Sequence, residues 1–471
     1  MRILFVFLSS IFLNQLTAQK ISILLTSPAP DAFVSIAPLK YNKDFAYSFT
    51  LDDAYDDAFT CAYHIFNGGH VPLNDVLYSP LYFTDGCGNK VPFRGGIAWN
   101  SANILGIDVH TGNVIDRMTW KQIDTIYNSN WDVFNHSFSH KSNSTQTMLP
   151  TDYINEINLN PPTVRQNTTA KIEMPLFVVP FGDSNYVNYA YNMNYKAVFN
   201  QSGNVIGYGG LKVDDGIDFS KPIHRQLLEE SLSSLHFFDS VAVRSQKGNH
   251  YWYNEFTHRI DDINSSDFNF YTVYNYFNKI ANTYGALGSG KDNLWVAPLQ
   301  EVTEYLQMRK NLGFQVKTTA SLVDISFDFS KVPTWFRRNT ITLLLTNAAN
   351  IASIDFPKNW AVTYQLKGTS KIINIDFGAF PFVTAINNIE NLSTFKIFPS
   401  VANDEIQIET LYDLSDSKFK VIDVLGRTYE VNPVKNGPLL KLDVTNFSTG
   451  FYIFIFTSKN KIYSERFVIA R

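Results

Sequence analysis

Two histidines four residues apart, His136 and His140 in His-Ser-Phe-Ser-His, follow an aspartate pair, Asp52-Asp53, that ends the apolar run Phe45–Leu51. Imidazoles at this spacing can converge on one metal ion, and a carboxylate can complete the set. Two histidines, one aspartate and open positions make a Lewis-acid hydrolase site, with the second aspartate placed to act as a base. Zinc peptidases share the i, i+4 histidine spacing, but their chemistry needs a Glu directly after the first His. Ser137 stands there, which argues against a peptidase.

These residues need elements that bring them together. The apolar, β-prone run at 45–51 ends in Asp52-Asp53, that at 131–134 in Asn135-His136, that at 176–179 in Pro180-Phe181-Gly182-Asp183, and that at 251–256 in Thr257-His258. Functional residue types thus sit at the C-terminal ends of four strands. In a β/α barrel those ends gather on one face, where active sites are built. Helical patterns alternate with the strands, the signature of an α/β domain over about 45–313. Thr119-Trp-Lys-Gln122 reads as a capping box opening a helix to about Tyr127. Phe270, Val273, Tyr274, Phe277, Ile280 and Ala281 share one helix face, with Ser266 or Asp267 as the expected cap, and a last helix carries Val302, Tyr305, Leu306 and Arg309 before Gly313 as its stop.

At 471 residues the chain is long enough for two or three domains. Its 45% hydrophobic content supplies ample core, and a net charge of −4 gives no reason to expect nucleic acid or an anionic membrane as partner. Arg2, the apolar stretch from Ile3 to Leu13 and Leu16-Thr17-Ala18 read as a secretory signal over residues 1–18. That run is too short to cross a bilayer and no later segment is long enough, so a transmembrane segment is not expected. Cys61 and Cys87 are the only cysteines, and in an oxidising compartment such a pair is expected to form a disulfide worth about 3 kcal/mol. Neither has a close Cys or His at ligand spacing, which makes a Cys-bound metal the weaker alternative. The 82 residues from Ala54 to Asn135 hold both cysteines and several glycine turns, and as an insertion in a βα loop they are expected to lie over the active face.

Beyond the α/β block the pattern changes to strands without helices. Runs at 322–329, 340–346, 360–366 and 371–377 suggest a small antiparallel sandwich over 314–386, followed by a polar linker at 387–393. A third, β-rich block spans 394–471.

The Asp and His residues resemble the motifs of the NodB-type polysaccharide deacetylases. Thr50-Leu51-Asp52-Asp53 matches that family's Thr-Phe-Asp-Asp at three of four positions, and His136-Ser137-Phe138-Ser139-His140 fits its second motif fully. Trp131-Asp-Val-Phe-Asn-His136 and Trp295-Val-Ala-Pro with Glu301-Val-Thr-Glu-Tyr305 extend the resemblance over about residues 45–312. It implies a distorted (β/α) barrel, followed here by small all-β sandwich domains. It also implies a metal-dependent hydrolase that removes N- or O-acetyl groups from a polysaccharide. Asp53, His136 and His140 would hold a divalent metal, zinc by expectation, with cobalt or nickel also suited. Asp52 would be the base and His258 the acid. Pro180 and Phe181 would line the substrate, with the Phe181 N–H stabilising the oxyanion.

Two departures stand out. The family's third motif carries an arginine that orients the base, but this chain has Val178-Val-Pro180-Phe181-Gly182. The base must then be oriented by another group, or activity is altered. The acidic partner of His258 is also not evident: Asp214 or Asp215 lies at roughly the right place, with a solvated turn as the competing reading. The missing arginine keeps open an alternative, a catalytically impaired glycan-binding protein that retains the metal site.

Phe395-Lys-Ile-Phe-Pro-Ser400, Val421-Ile-Asp-Val-Leu-Gly-Arg427 and the run from Leu442 to Ile453 resemble the C-terminal sorting domain of type IX secretion. Gly426 and Gly450 are expected where hairpins need positive φ. The resemblance implies export through the periplasm to the medium or the cell surface, with the type IX machinery as partner.

Overall fold

The structure, a computed structural model, describes residues 19–102, 117–201, 210–231, 236–245, 248–260, 269–378, 395–398, 401–410, 417–423, 427–436, 439–458 and 461–470. The expected signal at 1–18, the linker at 387–393, Ser266, Asp267 and Gly426 lie outside these residues. The chain divides into two compact units, Met1–Phe380 and Pro381–Arg471.

The first unit is built on parallel strands β1 (Phe45–Leu51), β2 (Gly96–Trp99), β3 (Asp132–Asn135), β4 (Leu176–Val178), β5 (Ala197–Gln201), β6 (Ile223–Leu227), β7 (Tyr251–Thr257) and β8 (Leu294–Val296). Strands β1 to β7 pair in sequence order, and β7 pairs back onto β1 over seven residues, which closes a seven-stranded barrel. The distortion lies at β1: β8 pairs with its first half and β2 with its second. All seven residues of β1 are buried, as expected of a parallel strand covered on both faces.

The Trp120–Asn128 helix opens on the Thr119–Gln122 capping box as the sequence suggests. The Phe270–Thr283 helix is capped one turn later than expected, by Asn269, whose side chain accepts from the Thr272 N–H. Gly313 does not end the last helix in a left-handed turn; Leu312 caps it and Gly313 starts the next strand.

Two four-stranded antiparallel sheets follow the barrel in space but not wholly in sequence. One runs Gly313–Thr319, Leu322–Asp328, Gln19–Leu25, Ile351–Asp355; the other runs Phe33–Ile36, Thr340–Thr346, Ser370–Asp376, Ala361–Tyr364. The chain therefore lays down one strand in each sheet before it enters the barrel. Ile23, Ile325, Leu343 and Ile373 belong to the same continuous core as Phe45, Phe49 and Trp131 of the barrel.

The two cysteines form no disulfide, contrary to expectation; both are thiols. Cys61 is buried in the barrel core, in the helical segment after β1. Cys87 sits in the turn between Tyr82–Thr84 and Lys90–Pro92, with Asn374 Nδ2 3.4 Å from its sulfur. That hairpin is pinned elsewhere. Tyr82 O accepts the Ala286 N–H and Thr84 N–H donates to Asp292, both before β8, while Thr363 and Asn374 bind Asp85. This part of the insertion thus lies at the N-terminal end of the strands, not over the active face.

A buried charge network joins the sheets to the barrel. Asp132, the first residue of β3 and fully buried, takes Arg337 Nη1 at 2.7 Å and Arg338 Nη1 at 2.9 Å. Glu301 takes Lys40 at 3.0 Å and Arg94 at 2.9 Å. Burial opposes ionisation of Glu301, but Arg94, Lys40 and Arg338 more than offset it and hold its carboxyl far below the usual range.

In the second unit, strands Phe395–Phe398, Glu405–Thr410, Leu439–Asp443 and Val434–Asn436 form one sheet. Val401–Ala402, Lys461–Ile469, Gly450–Ser458, Lys418–Asp423 and Thr428–Val431 form the other. Ile406, Val421, Phe454 and Phe467 fill the core. Gly450 starts a strand without a left-handed backbone, so its expected positive φ is not observed.

Removing one member of a buried ion pair leaves its partners desolvated and uncompensated, at a cost of about 3–5 kcal/mol. Asp132→Ala should lower the stability of the first unit by that amount, read as a fall in the urea midpoint of tryptophan fluorescence. An unchanged midpoint would show that the two arginines find water instead.

Candidate metal and catalytic centre

The C-terminal ends of β1 and β3 bring three ligand atoms together. His140 Nε2 lies 3.2 Å from Asp53 Oδ1 and 3.1 Å from His136 Nε2, and His136 Nε2 lies 3.6 Å from the same Asp53 oxygen. Ligands about 2.1 Å from a tetrahedral ion stand about 3.4 Å apart, so the triangle has the size an ion needs. Among the described residues, Asp53, His136 and His140 are the one group of three or more such side chains so arranged.

Supporting bonds fix each ligand. His136 Nδ1–H donates to Val178 O at 2.8 Å, which turns Nε2 toward the triangle. Asn100 Nδ2 donates to Asp53 Oδ1 at 3.0 Å. The serines between the histidines shape the loop: Ser137 Oγ accepts the His140 N–H at 3.0 Å, and Ser139 bonds Glu156 through both its N–H and its hydroxyl. Asp53 (φ 68), Ala54 (φ 57), Ser137 (φ 65), His140 (φ 60) and Phe181 (φ 53) all occupy the left-handed region, which is costly for non-glycine residues. Such outliers cluster where a site over-determines its backbone.

Electrostatics keep the ligands in their binding forms. Burial lowers both imidazoles, His140 to about 4 against the pull of Asp53, so they are neutral near pH 7. Asp53 loses its proton before the imidazoles lose theirs: burial opposes its charge, but in the acid range the protonated His140 and then His136 outweigh that and hold it well below the usual carboxylate range.

The group missing from the third motif is supplied by another strand. Arg225, in β6 and fully buried, grips Asp52 with both ends of its guanidinium, Nη1 to Oδ1 at 2.8 Å and Nη2 to Oδ2 at 2.9 Å. Its Cζ lies 4.3 Å from the centre of the Phe256 ring. Against the cost of burial, Arg225 and then His136 hold Asp52 below its ordinary value. Sequence reasoning missed Arg225, although its alternation with Ile223 and Leu227 puts a cation on the face those apolar residues share, and that is the available signal.

His258 follows β7 at the same end of the barrel. Neither Asp214 nor Asp215 serves it: Asp214 bonds His250 at 2.7 Å, and Asp215 pairs with Lys212 at 3.3 Å on the surface. The carboxylate on this side is Glu229, just after β6, which accepts from Thr257 Oγ1 at 2.6 Å and whose second oxygen is buried without a donor. Burial raises the Glu229 carboxyl, and His258 is among the charges that pull it back. Pro180 is buried, and the exposed Phe181 ring stands 4.3 Å from that of His140.

Two ordinary histidines, each with a pKa near 6.5, would together release about one proton on binding a metal at pH 6.5. Here cobalt(II) should bind with release of clearly less than one proton at pH 6.5, because both imidazoles are already shifted toward their neutral form. His136→Ala should abolish the cobalt absorption band, whereas Asp52→Asn should keep it. Loss of the band in both variants would contradict the ligand assignment.

Residues 396–470 match the family model described as a secretion system C-terminal sorting domain. No curated protein sequence matches the chain. Solved structures similar to it include a Streptococcus pyogenes deacetylase in complex with acetate, at 13% identity and TM-score 0.25, covering 38% of this chain and 62% of that one. A T48 deacetylase with substrate aligns at 9% identity and TM-score 0.29, over 55% and 89% of the two chains. A Mycobacterium smegmatis protein described as a polysaccharide deacetylase aligns at 12% identity and TM-score 0.30, over 61% and 96%. The chain thus spans under two thirds of the first of these. Its C-terminal segment is a secretion sorting domain.

Proposed function

We propose that the chain is an exported, metal-dependent hydrolase that removes acetyl groups from a polysaccharide. The observation that carries the reading is the pairing of two sets of groups: the Asp53–His136–His140 triangle, and beside it a buried Asp52 held by Arg225. Ligands alone would make a metal site; a fixed, ionised carboxylate beside them makes a base.

Asp53, His136 and His140 would hold a divalent ion, zinc by donor type, which would supply a Lewis acid and an acidified water. Asp52 accepts the proton of the attacking water on a lone pair that Arg225 leaves open. Arg225 keeps that carboxylate charged and stops it from turning. The Phe181 N–H, presented by the left-handed turn at Pro180-Phe181-Gly182, donates to the oxyanion. The Phe181 ring and Pro180 form a wall for the sugar. His258 protonates the leaving oxygen or nitrogen, and Glu229 stabilises its charged form. Arg225 also removes the motive for reading the chain as an impaired glycan-binding protein, since the base has its cation.

The sorting domain at 396–470 supports export, with the type IX machinery as partner and transit through the periplasm. Among the described residues no helix is long and apolar enough to cross a membrane.

Acetate release from acetylated xylan, chito-oligosaccharides and peptidoglycan tests the reading. The metal-loaded chain should turn over at least one of them. Asp52→Asn should lower kcat by about 10²–10⁴ with metal still bound. Arg225→Met should cost about 10² in kcat, with partial recovery in Arg225→Lys. No release from any substrate by a metal-loaded, folded chain would sink the proposal.

A further inference from the structure

The helix Pro150–Asn167 carries two adjacent prolines in its interior, Pro161 and Pro162. A proline inside a helix has no N–H to offer the carbonyl four residues earlier, and its ring pushes that carbonyl aside. The carbonyls left without a helical donor are those of Ile157 and Asn158. They lie on different sides of the helix: Asn158 is exposed, within reach of water, whereas Ile157 is fully buried. The Ile157 carbonyl accepts Asn135 Nδ2 at 2.9 Å, and Asn135 directly precedes His136.

Asn135 is itself fully buried and uses its whole amide. Nδ2 also donates to the Tyr195 hydroxyl, while Oδ1 accepts the Ser137 N–H at 3.0 Å and Asn160 Nδ2 at 2.8 Å. Asn160, the residue before the prolines, donates to Trp99 O at 2.6 Å and accepts the Ser101 N–H at 3.0 Å. Main-chain carbonyls only accept and main-chain N–H groups only donate, so each amide has a single orientation. Ser101 follows Asn100, whose side chain holds Asp53. One helix thus braces the surroundings of all three ligands, through Asn160 toward Asp53, through Ile157 at His136 and through Glu156 at the residue before His140.

Resting on the hydrolase reading and its ligand set, we infer that Pro161 is a positioning residue of the metal site. It denies Ile157 a helical donor and so keeps that carbonyl for Asn135, which fixes how His136 leaves the end of β3. With an N–H at position 161 the carbonyl would turn back along the helix axis, and the Asn135 amide would lose the acceptor that holds it. Groups one step removed from the ligands change metal affinity because they orient the lone pairs. A substitution that improves the helix should therefore weaken the site.

Cobalt(II) titration of the full chain, run beside urea unfolding, tests this without relying on turnover. Pro161→Ala should keep or raise the urea midpoint, since the helix regains a donor, yet weaken cobalt binding by about five- to tenfold. Pro162→Ala restores a donor only to Asn158 on the exposed side, and its cobalt affinity should stay within about twofold of wild type. Asn135→Ala should weaken binding by about 10- to 100-fold. Equal affinity in wild type and Pro161→Ala, or the same loss in both proline variants, would overturn the inference, and so would a loss in Pro161→Ala that comes with a lower urea midpoint. A wild-type chain that takes up no cobalt would overturn it together with the ligand assignment. The expected affinities in a chain that releases no acetate would count against the hydrolase reading alone. Acetate release with equal affinities would count against the role of Pro161 alone.

Discussion

Two adjacent carboxylates, Asp52 and Asp53, are buried side by side at the end of one strand, and the rest of the site follows from what that requires. Each ionised group taken from water must be compensated, and adjacent like charges add to the demand. The chain divides the task. Asp52 is answered by Arg225 from inside the barrel, and Asp53 by the two imidazoles and the Asn100 amide. The division also sorts the chemistry. The carboxylate that faces a permanent cation stays a proton acceptor fixed in place. The one that faces neutral imidazoles keeps a lone pair directed at the point the imidazoles share. A metal ion would complete the second set, while the first is complete without it.

That arrangement is possible because the backbone at the strand ends is bent into conformations most residues avoid. Left-handed φ at Asp53, Ser137, His140 and Phe181 places successive side chains where an extended or helical continuation would not. Gly182, at φ 69, sits where a side chain would be strained, and a Cβ there would also push the Gln201 amide, 2.5 Å away, aside. The strain is held by specific bonds, Ser137 to the His140 N–H and Glu156 to Ser139, which use the two serines of the His-Ser-Phe-Ser-His run. These serines therefore shape the loop between the two histidines, where a metallopeptidase would place its general base.

What the sequence made legible was local. His136 and His140 are neighbours along the chain, the aspartates end a long apolar run, and alternating strands and helices announce a barrel. Contacts set by topology were not legible. Arg225 reaches Asp52 across the barrel from 173 positions away, and no spacing rule connects them. Glu229 was not singled out because nothing in its residue type marks it off from Asp214, and a turn bonding His250 has the same residue types as a catalytic one. The cysteine pair misled for a similar reason. Parity and loop composition say that two thiols could meet, but the hairpin carrying Cys87 is drawn by Asp85 and Thr84 to the far end of the barrel. Strands Gln19–Leu25 and Phe33–Ile36 were missed as part of the sandwich because their partners lie some 300 residues later.

The sandwich bears on the site through β3. That strand has four residues, starts at Asp132 and delivers His136 directly after its end. Short strands are weakly held in register by their own ladder, and a slip of one residue would turn every side chain to the opposite face. Asp132 is gripped from below by Arg337 and Arg338, which precede the Thr340–Thr346 strand, and their side chains also reach Tyr127, Asn130 and Trp131 carbonyls around the start of β3. Six hydrogen bonds from one arginine pair therefore fix where β3 begins, and with it how far His136 projects into the face where Asp53 waits. The two sheets flanking the barrel are in this sense part of the construction of the Asp53–His136–His140 triangle, which accounts for a core and a charge network that run through both without a boundary.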